Sequence, residues 1–241
     1  MNTIFSQAAC GLVLFVVAAS SAIAGSFQVS PVSATLTRGQ PVSALTVRNT
    51  GSDAAVIQLE AMAWSQPNGK DQYVPASDIL ATPPIFTIAP GGTQVIRVGS
   101  RRPPDTLERA YRVFLREVPP PPKPGFSGLR MSLQISLPVF VQQDVASTPQ
   151  LEWQAEQTTA GQTRIRVTNR GQTHARLNSF KLSAASGNKS LPMEDHIVYV
   201  LPGATHDWLL NTPIVPGTHL HLAATQSNGR SMQIDLVVAG R

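Results

Sequence analysis

Two histidines are the first residues to consider for chemistry, because imidazole can bind metal ions and move protons. His219 and His221 are separated by one residue. On a strand, that spacing would place both imidazoles on one face, as in a metal-binding pair. No third ligand is evident nearby, and a solvated strand face is the simpler explanation. We therefore predict no metal site and no cofactor.

The sequence also lacks a nucleophile with the partners that would activate it. Ser127 lies in Gly125-Phe126-Ser127-Gly128, which lacks the Gly-x-Ser-x-Gly spacing of a nucleophile elbow. Neither a phosphate-binding loop nor a His-Glu-x-x-His motif is present. We predict no catalytic residues and expect a binding protein rather than an enzyme.

Charge and hydropathy restrict the class of partner. The formal net charge is +5, yet only 14% of residues are charged, and the basic ones are dispersed. This pattern argues against nucleic-acid binding. Residues 11–19 form a short apolar run, and Ala22-Ile23-Ala24 follows. This predicts a secretory signal at residues 1–24, with an anchoring N-terminal helix as the alternative.

The remaining chain is predicted to be exported without membrane insertion, because no second apolar run could span a bilayer. Its only cysteine, Cys10, would leave with the signal. No disulfide or metal thiolate is then needed.

Residues 129–137 alternate strictly between large apolar and polar side chains. Alternate residues of a strand share a face, so the apolar ones form a single row. Pro138 follows and cannot donate to a ladder, which predicts a sheet edge near the end of this strand. An apolar edge promotes aggregation unless it is covered. The row consists of Leu129, Met131, Leu133, Ile135 and Leu137.

Short alternating runs separated by glycine and proline predict an all-β fold. No segment has sustained helical periodicity. The predicted strands are 42–48, 56–64, 94–98, 111–118, 129–141, 164–168, 176–182, 197–201, 219–222 and 232–238.

Two landmarks recur in the same order in each half of the chain. Val47-Arg48-Asn49-Thr50-Gly51 resembles Val167-Thr168-Asn169-Arg170-Gly171, and residues 88–93 resemble residues 200–205. Both are rich in turn-forming residues. They predict two related sandwiches, at 25–143 and 144–241, joined through a polar stretch.

The sequence resembles the periplasmic chaperones of chaperone–usher pilus systems. The matching segments span the mature chain but are denser in its first half. They are residues 47–49, Trp64, residues 81–86, 88–91, 95–98 and 111–119, the alternating strand, and residues 137–141.

This resemblance implies two immunoglobulin-like β-sandwich domains in an L or boomerang arrangement. It also implies that the alternating strand is lent to pilus subunits that lack one strand, which is donor-strand complementation. The implied partners are pilus subunits and an outer-membrane usher, and the implied compartment is the periplasm. An uncovered edge can also pair with a second copy of the chain.

One expected feature of the family is missing. Best-known members anchor the subunit's terminal carboxylate with two cations, whose positions here hold Ser33 and Pro138. Arg97 is the first substitute, with Arg112 and Arg116 as further candidates, because guanidinium binds carboxylate bidentately. The departure suggests a non-classical branch, similar to archaic or spore-coat-protein-U-type systems.

Two other functions stay open at the level of sequence. A periplasmic sandwich that binds a soluble ligand or glycan would bury the alternating row in its own core. An exported β-sandwich hydrolase is the enzymatic alternative.

Overall fold

The structure is a computed structural model that describes residues 27–121, 131–144, 147–185, 190–191, 193, 196–226 and 229–240. The predicted signal at 1–24, Cys10, Ser127 and Leu129 lie outside the described residues. No described helix has the length and apolar character needed to cross a membrane.

Strands dominate both halves of the chain. The first half contains β1 (Phe27–Ser30), β2 (Ala34–Leu36), β3 (Val42–Asn49), β4 (Ala55–Ser65), β5 (Gln72–Pro75), β6 (Ile79–Thr82), β7 (Ile85–Ile88), β8 (Thr93–Ser100), β9 (Arg109–Val118) and β10 (Gln134–Val141). The second contains β11 (Leu151–Gln157), β12 (Thr163–Asn169), β13 (Ala175–Ala184), β14 (Ser190–Leu191), β15 (Val198–Val200), β16 (Thr205–Leu210), β17 (His219–Gln226) and β18 (Ser231–Ala239). A 3-10 turn at Pro67–Gly69 lies between β4 and β5.

The first half forms two sheets that share one core. One sheet has the order β1-β3-β8-β6, and the other has the order β2-β10-β9-β4-β5, with β7 also paired to β4. Both sheets turn apolar residues toward each other because their strands alternate. The shared core includes Leu36, Leu45, Val47, Ile96, Val98, Val113 and Val139.

The second half has its own core. Its strands follow the order β14-β13-β17-β18-β11-β12-β16, with β15 also paired to β13. Three residues of the first half, Trp64, Ala110 and Phe140, belong to this second hydrophobic cluster. The β4-β9-β10 sheet therefore packs its own core on one face and contacts the second half through the other.

The all-β prediction is confirmed, and nine of the ten predicted strands agree within a few residues, which is ordinary variation in strand ends. The tenth, at 129–141, begins later, at Gln134. The reason lies in Glu117, because its carboxylate accepts the Leu133 amide and its carbonyl accepts the Ser132 hydroxyl. Beyond the backbone bond from the Glu117 amide to the Leu133 carbonyl, side-chain bonds therefore take the place of the regular ladder. The domain limit at 143/144 stays a prediction.

The two recurring landmarks are joined by a buried asparagine in each half. The Asn49 amide donates to the carbonyl of Ile88 at 3.1 Å, and the Asn169 amide donates to that of Val200 at 2.9 Å. In each case the asparagine oxygen accepts from the glycine two residues later at 2.9 Å. One asparagine therefore ties together the two turns that the sequence repeats.

Candidate functional site: an open strand edge and an arginine-lined cleft

Strand β10 is covered along only part of one side. It pairs with β9 along its whole length, whereas β2 pairs with it only from Val139 to Val141. Among the described residues, Gln134–Pro138 therefore has no strand on its outer side. The expected edge is present, but it is open at the beginning of the strand and covered at its end. The reason is that β2 is only three residues long.

The described residues of the alternating row are most exposed at its start and least exposed at its end. Met131 is 64% exposed, Leu133 and Ile135 are half-buried, and Leu137 is 4% exposed. Ile135 contacts the margin of the first core, and Leu137 lies inside it. The row thus begins outside its own core and ends within it, so its first residues combine an open backbone edge with available apolar side chains.

The opposite face of the same sheet contacts the second half. The Phe140 ring stacks on the His174 ring with centroids 3.5 Å apart. Glu108, whose side chain is fully buried, accepts from the His174 main-chain amide at 3.0 Å and lies 2.8 Å from its Nδ1. These contacts lie at the end of β10 that β2 covers, two residues beyond Pro138, where the open stretch ends.

Arg112 occupies the cleft at this junction. It is opposite Pro138 in the pairing of β9 and β10. Its guanidinium carbon lies 3.9 Å from the ring centroid of Trp64 and 5.2 Å from that of Tyr199, which belongs to the second half. Its Nε is buried and has no hydrogen-bond partner among the described residues. A guanidinium held over aromatic faces is well placed to bind a carboxylate.

The other two candidate arginines have different surroundings. Arg116 forms an ion pair with Glu60 at 3.0 Å. Arg97 is exposed on β8, which belongs to the sheet that does not contain β10. Neither Ser33 nor Pro138 supplies a cation. Arg112 lines a cavity that also contains residues of the second half, including Tyr199.

A carboxylate in the first half organises this cleft. Asp71 accepts from Trp64 Nε1, from Gln66 Nε2 and from the Tyr73 hydroxyl, each at 2.9 Å. Gln66 also donates to the Tyr199 carbonyl and accepts from the Leu201 amide. Sequence analysis singled out Trp64 but missed Asp71, Gln66 and Tyr199, because no motif marks the turn between β4 and β5 and because Gln66 meets Tyr199 only across the junction of the two halves.

The predicted histidine pair lies elsewhere. His219 and His221 are exposed on β17, and His221 pairs with Asp235 on β18. In the described part of the chain, no group of three or more histidine, cysteine, aspartate or glutamate side chains could hold a metal ion.

Comparison with solved structures supports a chaperone fold. A chain of the CsuC–CsuE chaperone–tip adhesion subunit pre-assembly complex, from archaic chaperone–usher Csu pili of Acinetobacter baumannii, is 23% identical. The match covers 90% of this chain and 99% of that chain, with a TM-score of 0.69. A chain of the SafA pilin–SafB chaperone complex of Salmonella enterica is 18% identical, with 88% and 96% covered and a TM-score of 0.60.

The YadV chaperone gives a TM-score of 0.61 at 17% identity, with 88% of this chain and 98% of that chain covered. These likenesses confirm the predicted pair of immunoglobulin-like sandwiches. No curated protein sequence matches the chain. Residues 26–144 match the family model described as pili and flagellar-assembly chaperone, PapD N-terminal domain. The chain therefore belongs to the pilus-assembly chaperones of the chaperone–usher pathway.

Proposed function

We propose that this protein is a periplasmic chaperone that holds pilus subunits by lending them the edge of β10. The observation that carries the proposal is the apolar row, which leaves its own core beside a backbone edge that no other described strand covers. Among the described residues, the side chains of this row that a partner could contact are Met131, Leu133 and Ile135. Leu129 would continue the row outward, and Leu137 would mark its inner end.

Two kinds of interaction would act together on this edge. Backbone groups of Gln134–Pro138 would pair with a strand of the subunit, and the apolar side chains would enter its groove. Full burial of a large apolar side chain contributes about 1.5–3 kcal/mol. Three such residues would offset part of the ordering cost of a subunit that lacks one strand.

Arg112 is the proposed anchor for the terminal carboxylate of the subunit, ahead of Arg97 and Arg116. Two observations support this choice: Arg112 lies opposite Pro138, and its Nε has no hydrogen-bond partner in the part of the chain that the structure describes. Arg116 already has Glu60 as a partner. An anchor on β9 in place of the two missing cations also supports assignment to a non-classical, archaic-like branch.

Delivery to an outer-membrane usher completes the proposal. The signal predicted at residues 1–24 would export the chain, and the next subunit's strand would replace β10 by exchange. No nucleotide and no catalytic residue is needed for this step. The alternative of a soluble-ligand or glycan binder requires a buried row, whereas Met131 is 64% exposed.

A matched pair of substitutions tests the proposal. Leu133→Glu should abolish co-purification with co-expressed pilus subunits while the protein keeps its melting temperature, because a carboxylate is costly to bury in an apolar groove. Leu209→Glu is the control, since Leu209 is a 54% exposed leucine on β16. Undiminished capture by a folded Leu133→Glu protein would refute strand donation, as would unfolding caused by that substitution.

A further inference from the structure

A small apolar cavity lies at the end of the first sandwich where β2, β8 and β10 finish. Its volume is about 200 Å³. Leu36 and Val141, the last residues of β2 and β10, border it and belong to the first core. Pro41, Pro103 and Pro104 also line it. The cavity therefore offers apolar surface that the sandwich leaves unfilled.

Three arginines border the same cavity, and none of the described residues that line it is acidic. They are Arg38, Arg101 and Arg102, and all three are exposed. Arg38 and Arg101 form no ion pair among the described residues. Arg102 pairs with Asp78 at 3.8 Å and with Asp105 at 3.3 Å. Since exposed ion pairs contribute little, these guanidinium groups can accept another carboxylate at low cost.

Asp144 is the carboxylate closest in electrostatic effect to Arg38, and it is engaged elsewhere. Its Oδ1 accepts from the Gly39 amide at 2.9 Å. That bond, together with a bond from Thr37 and the charge of Arg38, lowers the pKa of Asp144. Arg38 thus acts on Asp144 through its charge and keeps its guanidinium donors for another partner.

The loop that carries two of these arginines is held in place by hydrogen bonds. Arg109 Nη2 donates to the carbonyls of Arg102 and Pro103, at 3.1 and 2.8 Å. The Ser100 hydroxyl donates to the Arg102 carbonyl at 2.7 Å, and the Ser100 amide donates to the Pro41 carbonyl at 3.2 Å. Because these bonds fix the backbone around the cavity, binding there requires little further ordering of the loop.

The size and the charge of the cavity together indicate its occupant. Small-molecule pockets usually have volumes of about 300–1,000 Å³, so a cavity of about 200 Å³ better suits a single side chain. Arginines around it favour carboxylates, which they bind bidentately. Arginine beside an apolar pocket is also typical of the residues that dominate protein–protein binding.

We propose that this cavity is a docking site for a protein segment that presents one apolar side chain flanked by carboxylates. The site goes beyond strand donation and is separate from the open edge of β10. Val141 lies three residues beyond Pro138, on the stretch that β2 covers. A partner could therefore occupy the cavity while a subunit occupies the edge.

The test uses the full chain and three pentapeptides with blocked ends. The first has leucine between two pairs of glutamates, the second has glutamine in place of glutamate, and the third has serine in place of leucine. Blocked ends remove the terminal carboxylate that Arg112 would bind. Binding is followed through the Nε–Hε signals of Arg38, Arg101 and Arg102 in nitrogen-15 NMR spectra.

We expect the first peptide to shift all three arginine signals and to bind about tenfold tighter than either of the others. Added salt should weaken its binding, because exposed charge pairs are screened. Equal binding of the three peptides would overturn the proposal, as would unmoved arginine signals in excess of the first peptide.

Substitutions locate the site on the protein. Arg38→Gln and Arg101→Gln should each weaken binding of the first peptide about threefold, with melting temperatures unchanged. Arg48→Gln is the matched control, because Arg48 is also exposed but lies near the far end of β3, the strand that begins beside Pro41. An equal loss with Arg48→Gln would show that net charge alone attracts the peptide and would refute a site.

Two further measurements separate this proposal from its alternatives. If phosphatidylglycerol vesicles shifted the three arginine signals and no peptide did, the surface would bind membranes and the proposal would fail. Leu133→Glu should bind the first peptide as the wild type does, because Leu133 lies on the row assigned to the subunit. Failure of strand donation and failure of this site are therefore distinguishable.

Discussion

Asn49 and Asn169 each join two turns through one buried amide. Asn49 also donates to the Asp53 carbonyl at 2.7 Å, and Asn169 donates to that of Thr173 at 2.8 Å. Both side chains are almost inaccessible, at 1% and 0% exposure. Leucine would fill a similar volume but would leave buried carbonyl groups without donors, so the position demands asparagine.

Asn49→Ala and Asn169→Ala are each expected to lower the free energy of unfolding by about 2–4 kcal/mol. Urea titration of each variant measures the loss. Asn68→Ala is the control, because Asn68 lies in the 3-10 turn, which contains no buried residue. Its φ is +54°, so alanine there should change the free energy of unfolding only through backbone strain. A loss at Asn49 no larger than that at Asn68 would contradict the proposed structural role.

A second set of bonds at the residue scale joins Asp78, between β5 and β6, to two residues of β9. Asp78 accepts from the Tyr111 hydroxyl and from Arg109 Nη1, each at 2.7 Å. Burial alone would raise the pKa of Asp78, but the bonds from Tyr111 and Arg109 outweigh it and lower that pKa. Burial, followed by the bond to Asp78, raises the pKa of Tyr111 to about 12.

The two pKa shifts predict that the bonds between Asp78 and Tyr111 lose their stabilising effect at both low and high pH. The depressed pKa of Asp78 gives stability that is present above its ordinary value of 3.8 and is lost as the pH falls through the folded-state pKa. The raised pKa of Tyr111 gives stability that is complete below pH 10 and is lost as the pH rises toward about 12.

Tyr111→Phe should therefore cost about 1–2 kcal/mol near neutral pH. Its deficit relative to the wild type should shrink above pH 10, and that of Asp78→Asn should shrink below pH 4. Urea midpoints across the pH range provide the measurement. A deficit independent of pH would show that neither group titrates differently in the folded state.

At the scale of the element, one alternating pattern supplies β10 with core residues for its own domain and with apolar residues for a bound subunit. Leu137, Val139 and Val141 fill the first sandwich, while Met131 and Leu133 precede the strand and lie at the margin or outside. The alternation itself is uniform. The difference between buried and exposed members of the row therefore arises from how far β9 and β2 pair along it. The same row can thus stabilise its own domain and remain available to a partner.

Alanine substitutions at the two ends of the row should separate these roles. Leu137→Ala should lower the free energy of unfolding by about 2–4 kcal/mol, because it leaves a cavity. Met131→Ala should change it by less than about 0.5 kcal/mol, because Met131 is exposed, yet should weaken subunit capture. Thermal unfolding and co-purification of both variants give the comparison, and equal destabilisation would show that the row is a single core face.

At the scale of the whole molecule, the turn between β4 and β5 docks onto the second domain. Gln66 exchanges hydrogen bonds with the backbone at Tyr199 and Leu201, as a neighbouring strand would. Gly69 has φ of +74°, and a Cβ there would lie 3.0 Å from the Thr205 carbonyl oxygen. The close approach requires glycine for its backbone angle and for its lack of a side chain.

Gly69→Ala should loosen the two domains, and Gly161→Ala should not. Gly161 has a similar φ of +76°, with nothing within 4 Å of an added Cβ. Both variants should lose about 1–2 kcal/mol from backbone strain. Only Gly69→Ala should broaden the distribution of domain orientations measured by residual dipolar couplings. Identical couplings in the two variants would refute the docking role of the turn.

Individual residues show what the sequence could and could not predict about this fold and site. Period-two alternation marked most of the larger strands, because a half-buried strand must alternate. It could not mark the start of β10, since the bonds that Glu117 makes with Ser132 and Leu133 include side-chain bonds that alternation does not record. Arg97 and Arg112 are indistinguishable by local pattern, yet one is exposed on the opposite sheet and the other lies in the cleft.

The sequence by itself determined the all-β class, the two related halves, and the row at 129–137. These are local properties, encoded by alternation, turn residues and repeated landmarks. Only the tertiary structure decided that the row leaves its own core, and that Arg112 faces the Tyr199 ring of the second half. Those facts depend on sheet order and on contacts between residues of different strands, such as Arg112 and Tyr199, which no local pattern records.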